Sequence, residues 1–90
     1  MGNDITDRAM LLLGKISLSE LAVTNSKEYV RWQNIKRGSA RMAAIEVEQL
    51  GNAFPQYRYW LISGEVMPEA GQTSPAYDEA NEKLDEPNQA

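Results

Sequence analysis

Residues 27–38 read Lys27-Glu28-Tyr29-Val30-Arg31-Trp32-Gln33-Asn34-Ile35-Lys36-Arg37-Gly38, and the fold turns on how this stretch is read. Trp32 and Ile35 stand at helical spacing, and Gly38 can take the left-handed conformation that stops a helix. The preceding Thr24-Asn25-Ser26 competes with helix for backbone hydrogen bonds, so it supplies a turn, with a capping box of the helix's own, Asn25 or Ser26 as the cap. The spacing therefore predicts a helix over about 27–37. Lys27, Arg31, Lys36, Arg37 and the nearby Arg41 stand against Glu28, which gives residues 27–41 a charge of +4.

Outward from this stretch the chain stays helical. On the N-terminal side, Ile5, Ala9, Leu12, Leu13 and Ile16 recur at helical spacing, with Asn3 or Asp4 as cap and Gly14 as the end. Ser17-Leu18-Ser19-Glu20 has the capping-box pattern and predicts a short second helix that buries Leu18, Leu21 and Ala22 and ends near Thr24. On the C-terminal side, Ala43, Val47, Leu50 and Phe54 form one stripe, with Glu46, Glu48 and Gln49 facing away or flanking it. Pro55 suits the first turn of a fifth helix, where Tyr57, Trp60 and Leu61 share a face before Gly64. The expectation is an all-α compact bundle of about five short helices over 1–64, with no strand pattern. Residues 65–90 read as an acidic, mostly irregular tail broken by Pro68, Gly71, Pro75 and Pro87. Within it, Ser74-Pro75 can start a short helix at 75–84 carrying a narrow Tyr77, Ala80 and Leu84 stripe.

Composition narrows the function. Ninety residues make one small domain, and with no cysteine and no histidine the chain lacks disulfides, thiol nucleophiles, imidazole bases and zinc sites of the usual kind. No metal site and no cofactor are expected. No segment is long and apolar enough for a membrane span, and the first fifteen residues lack the pattern of a signal peptide, so a cytoplasmic protein without a membrane partner is expected. Met1-Gly2-Asn3-Asp4-Ile5-Thr6 fits the loose myristoylation pattern, but no polybasic second signal follows and the match is read as coincidence. The net charge of −4 argues against nucleic acid only as a sum. Residues 65–90 carry −6, from Glu65, Glu69, Asp78, Glu79, Glu82, Asp85 and Glu86 against Lys83, while residues 1–64 carry +2. The acidity belongs to the tail.

Two short helices joined by a brief turn, the second of them basic, describe a helix-turn-helix. Leu21, Ala22, Trp32, Ile35 and Gly38, followed by a further helix and Trp60-Leu61-Ile62-Ser63-Gly64, resemble the lambda-repressor-like family of Cro, CI and XRE-type regulators. The likeness covers about residues 5–64. The stretches Arg31 to Gly38, Phe54-Pro55-Gln56-Tyr57 and Pro68 to Pro75 look in particular like small phage and prophage regulators. The turn departs from the family pattern at Ser26, Lys27 and Glu28, which leaves the start of the recognition helix open. The resemblance implies sequence-specific binding of double-stranded DNA, with the third predicted helix in the major groove, and a homodimer on two half-sites.

On that reading Tyr29, Val30, Gln33 and Asn34 face the groove. Gln33 and Asn34 offer a donor and an acceptor on one planar group, matching the adenine edge, and Val30 suits a thymine methyl. Tyr29 serves equally as a DNA contact or as a cap on the core. Arg31, Lys36, Arg37, Ser39 and Arg41 are the expected phosphate contacts, and Trp32 and Trp60 are read as structural.

Catalysis is not expected. Glu46 with Glu48 diverge on a helix, Glu79 with Glu82 lie in the tail, the serines have no base by motif and the six glycines are too scattered for a phosphate loop. No small-molecule substrate is expected. The alternative from another class is a protein-interaction module on the helix-turn-helix fold, antirepressor or antitoxin-like, favoured by the acidic tail and the Tyr77 stripe. A tail of this charge is also expected to temper the basic helix.

Overall fold

The computed structural model describes residues 4–84 and the side chains of residues 4–82; Met1, Gly2, Asn3, the Lys83 and Leu84 side chains, Asp85, Glu86 and Pro87 lie outside them. The described chain is all-α: α1 Ile5–Leu13, α2 Lys27–Arg37, α3 Ala44–Ala53, α4 Arg58–Ser63 and α5 Pro75–Leu84, with single 3-10 turns at Leu18–Glu20, Pro55–Tyr57 and Pro68–Ala70. No described helix is long and apolar enough to cross a membrane.

Each boundary has a local cause. Asp4 caps α1, its Oδ1 accepting from the Asp7 N–H at 2.9 Å, while the Asp7 carboxylate accepts from the Asp4 N–H at 3.4 Å. The Asp7 N–H also holds the Asp4 carboxyl below its ordinary range. At α2, Ser26 is the cap, accepting from the Tyr29 N–H at 3.1 Å, and Asn25 before it takes a positive φ of 70°. The start left open by the sequence is therefore Lys27. Gly38 ends α2 at φ 89°. Its N–H donates to the Ile35 carbonyl and the Ser39 N–H to the Asn34 carbonyl, a Schellman closure.

One expectation is corrected and another narrowed. The second helix is a single 3-10 turn at Leu18–Glu20, and Ser17 caps nothing. Its hydroxyl donates to the Glu20 carboxylate at 3.0 Å instead, so the two capping groups satisfy each other and leave no side-chain bond to propagate a helix. Glu46, expected to face away from the apolar stripe of α3 or to flank it, is buried, which leaves only the flanking position.

Ala9, Leu12 and Leu13 of α1, Trp32 and Ile35 of α2, Leu50 of α3 and Leu61 of α4 form the buried core. Leu18, Leu21, Ala22, Val47, Phe54, Tyr57 and Trp60 pack around it. Phe54 and Tyr57 stack with centroids 5.8 Å apart, and Tyr57 meets Trp60 edge-on at 6.4 Å. One cation belongs to this interior. Arg8, 8% exposed, donates from Nε to the Leu61 carbonyl at 3.0 Å and from Nη2 to the Ile62 carbonyl at 3.2 Å, tying α1 to the C-terminal end of α4.

The segment after Gly64 is more ordered than its composition suggested. Met67 and Gln72 form an antiparallel bridge. The Gln72 amide accepts from the Tyr59 N–H at 2.9 Å and donates to the Pro55 carbonyl at 3.1 Å, and the Thr73 N–H donates to the Gln56 carbonyl at 2.9 Å. The expected helix at 75–84 is present, capped by the Ser74 hydroxyl, which accepts from the Tyr77 N–H. The groove along it is lined by Leu11, Lys15, Tyr57, Asp78, Glu79 and Glu82, and none of its lining residues comes from α2.

Candidate nucleic-acid interface

With Trp32 and Ile35 turned inward at 2% and 1% exposure, the rotation of α2 is set. Val30, Gln33, Asn34 and Arg37, at the i, i+3, i+4, i+7 spacing of a single stripe, then lie on the opposite side. Val30 is 46% exposed and Gln33 is exposed, while Asn34 is half-buried. Tyr29 is half-buried on the flank, between its two sequence readings. The structure thus brings the four predicted base-contact residues to the outward side and flank of one helix.

Asn34 is the most heavily used of them. Its backbone carbonyl accepts from the Ser39 N–H at 2.9 Å, the Ala40 N–H at 3.2 Å and the Ser39 hydroxyl at 3.2 Å. Its side-chain Oδ1 accepts from Arg37 Nη2 at 2.5 Å. A guanidinium only donates, so the amide must turn its oxygen toward Arg37 and its NH2 outward. Ser39 and Arg37, both predicted phosphate contacts, are thereby held against the last turn of α2. Lys36 and Arg41 are exposed.

Arg31, predicted with them, is engaged elsewhere. It meets the Glu46 carboxylate with both arms, Nε to Oε2 at 2.6 Å and Nη2 to Oε1 at 3.1 Å, and Nη2 also donates to the Arg41 carbonyl at 2.9 Å. The bond from Arg31 holds the Glu46 carboxyl below its ordinary range against the opposing effect of burial, and the same bond raises Arg31 further above its already high value. Beside the loop a groove lined by Asp4, Asp7, Gly38, Ala40 and Arg41 places two carboxylates on the α1 side of Arg41.

Sequence reasoning missed Arg8 and Glu46. Both left a signal: Ile5, Arg8, Ala9 and Leu12 are spaced as one helical stripe, and Glu46 stands three residues after Ala43, the glutamate half of a capping box. Glu46 Oε1 indeed accepts from the Ala43 N–H at 2.8 Å.

No protein-family model matches the chain, and no curated protein matches it. Among solved structures, Pf6r from the filamentous phage Pf6 of Pseudomonas aeruginosa PA01 is similar over 90% of this chain and 96% of its own, with a TM-score of 0.76 and 44% sequence identity. Identity at that level across nearly the full length of both proteins, on top of a shared all-α fold, places this chain in the same family as Pf6r.

Proposed function

We propose that the protein is a phage-type transcriptional regulator that binds double-stranded DNA with α2 in the major groove. The observation that carries the reading is the outward stripe of Val30, Gln33, Asn34 and Arg37, opposite a buried Trp32 and Ile35 and flanked by Lys27, Lys36 and Arg41. Kinship with a protein of a filamentous phage supports it. On this reading the Leu18–Glu20 turn and α2 form a helix-turn-helix of the lambda-repressor-like kind with its first helix reduced to one turn, and the chain acts by binding, without catalysis or a cofactor. Gln33 and Asn34 read bases; Lys36, Arg37, Ser39 and Arg41 meet phosphates. One α2 makes few contacts, so a homodimer on two half-sites about one helical turn apart supplies specific affinity.

The test is fluorescence anisotropy of a labelled duplex over a salt series. Neutralising Z phosphates gives a slope of log affinity on log salt of about −0.9Z. A clear negative slope is expected; affinity indifferent to salt contradicts the reading.

A second reading, a protein-interaction module on the same fold, draws on the apolar groove lined by Ile5, Val47 and Ile62, of which Ile62 is 62% exposed. It predicts that Ile62→Glu abolishes partner binding while DNA leaves α2 untouched.

A further inference from the structure

The loop between α2 and α3 runs from Gly38 to Ala43 and carries two of the proposed phosphate contacts, Ser39 and Arg41. At its first end the Asn34 carbonyl gathers the Ser39 and Ala40 N–H groups. At its far end everything converges on one ion pair. The Arg31 guanidinium, on α2, holds the Arg41 carbonyl at 2.9 Å and the Glu46 carboxylate at 2.6 and 3.1 Å, and that carboxylate holds the Ala43 N–H at 2.8 Å. Glu46 is 6% exposed, and both of its oxygens are occupied by these donors. One guanidinium and one carboxylate thus fasten α2, the loop and the start of α3 to each other.

Two roles for Arg31 make opposite predictions. If Arg31 meets phosphate, Glu46 is a competing anion, and its removal strengthens DNA binding. If the pair instead sets the loop, loss of Glu46 leaves the Arg41 and Ala43 backbone unheld and weakens binding, although the protein becomes one charge more positive. The geometry favours the second role, because Nε and Nη2 of Arg31 are committed to the Glu46 carboxylate and the Arg41 carbonyl, only Nη1 is left to face a phosphate from the 43% exposed side chain, and drawing the guanidinium away would strand a buried carboxylate.

We propose that Arg31 and Glu46 are positioning residues that lock the α2–α3 loop in its DNA-binding arrangement, so that a buried anion is required for binding a polyanion. The proposal rests on the DNA-binding reading above.

The experiment uses the full chain and the labelled duplex of the salt series, with amide hydrogen exchange followed by NMR on the free protein. Glu46→Ala is expected to weaken binding about 10-fold, comparable with one disrupted base position. Glu46→Gln, which keeps an acceptor for the Ala43 N–H, loses less. Arg31→Met lowers affinity with its salt slope unchanged, whereas Arg41→Ala reduces the slope by about 0.9. In free Arg31→Met the Ala43 amide exchanges faster relative to the amides of α1.

Binding by folded Glu46→Ala equal to or tighter than that of the native chain overturns the proposal. So does a slope reduced by about one in Arg31→Met, which would make Arg31 a phosphate contact. If Glu46→Ala does not fold, Arg31→Met decides. If the native chain does not bind DNA at low salt, the DNA reading falls, and unchanged Ala43 exchange in Arg31→Met separately overturns the lock.

Discussion

The Tyr57 hydroxyl donates to the Asp78 carboxylate at 2.8 Å, joining residues 21 positions apart and fastening the acidic helix α5 to the turn before α4. Burial, then the bond and charge of Asp78, push the Tyr57 phenol above its ordinary value of 10.0. Its folded pKa is raised, so the stabilisation is fully present below the ordinary value and lost as pH rises through the folded one. As pH rises through this raised value, beyond the ordinary 10.0, the hold of α5 on the domain should weaken. Amide exchange across Ala76–Ala80 would report this, and Tyr57→Phe should exchange fast at every pH. Equal protection in Tyr57→Phe would show that α5 docks without the bond.

Arg8 predicts a stability loss that no surface arginine would give. Its two bonds to α4 carbonyls are charge-assisted, the one to Leu61 buried and the one to Ile62 partly so, and such bonds are worth about 1.5–3 kcal/mol each. Arg8→Met should lower the urea unfolding free energy by about 2–4 kcal/mol. Gly64 belongs to the same corner: it sits at φ 81°, and a Cβ there would stand 3.1 Å from Arg8 Nη1. Gly64→Ala should cost about 1–2 kcal/mol.

At acid pH the Arg31–Glu46 pair should dominate. The bond from Arg31 depresses the folded pKa of Glu46 below its ordinary 4.5, so this stabilisation is present above that value and is lost as pH falls through the folded pKa. Urea midpoints of the native chain should fall more steeply below pH about 4.5 than those of Glu46→Gln. Parallel curves would contradict this assignment.

For DNA, Gln33→Ala should relax preference at one base position, costing about 1–3 kcal/mol of discrimination there. Arg41→Ala should weaken binding to all sequences alike. Selection from a random duplex pool, repeated for both variants, distinguishes these outcomes, and a palindrome recovered with the native chain would give the half-site spacing.

What was legible in the sequence was periodicity and termination. The stripes Ala9-Leu12-Leu13 and Trp32-Ile35 and the stop at Gly38 are local facts, and each stands where its spacing put it. The second helix departs from its pattern because Ser17 and Glu20 can bond each other instead of backbone, and only the surrounding chain decides which happens. Long-range polar bonds were invisible for a related reason. Arg31 reads as one more exposed cation until α3 brings Glu46 beside it, and the acidic run after Gly64 reads as tail until Gln72 finds Tyr59 and Pro55. The outward side of α2 was readable because two core residues fix the rotation of the whole helix.

The most direct measurement of the central claim is amide chemical-shift mapping of the full chain as duplex DNA is added at low salt. The account predicts that shifts concentrate in residues 27–41, above all at Val30, Gln33, Asn34 and Arg37, with α5 unmoved. Silence in 27–41, or shifts confined to the Ile5, Val47 and Ile62 groove, would contradict it.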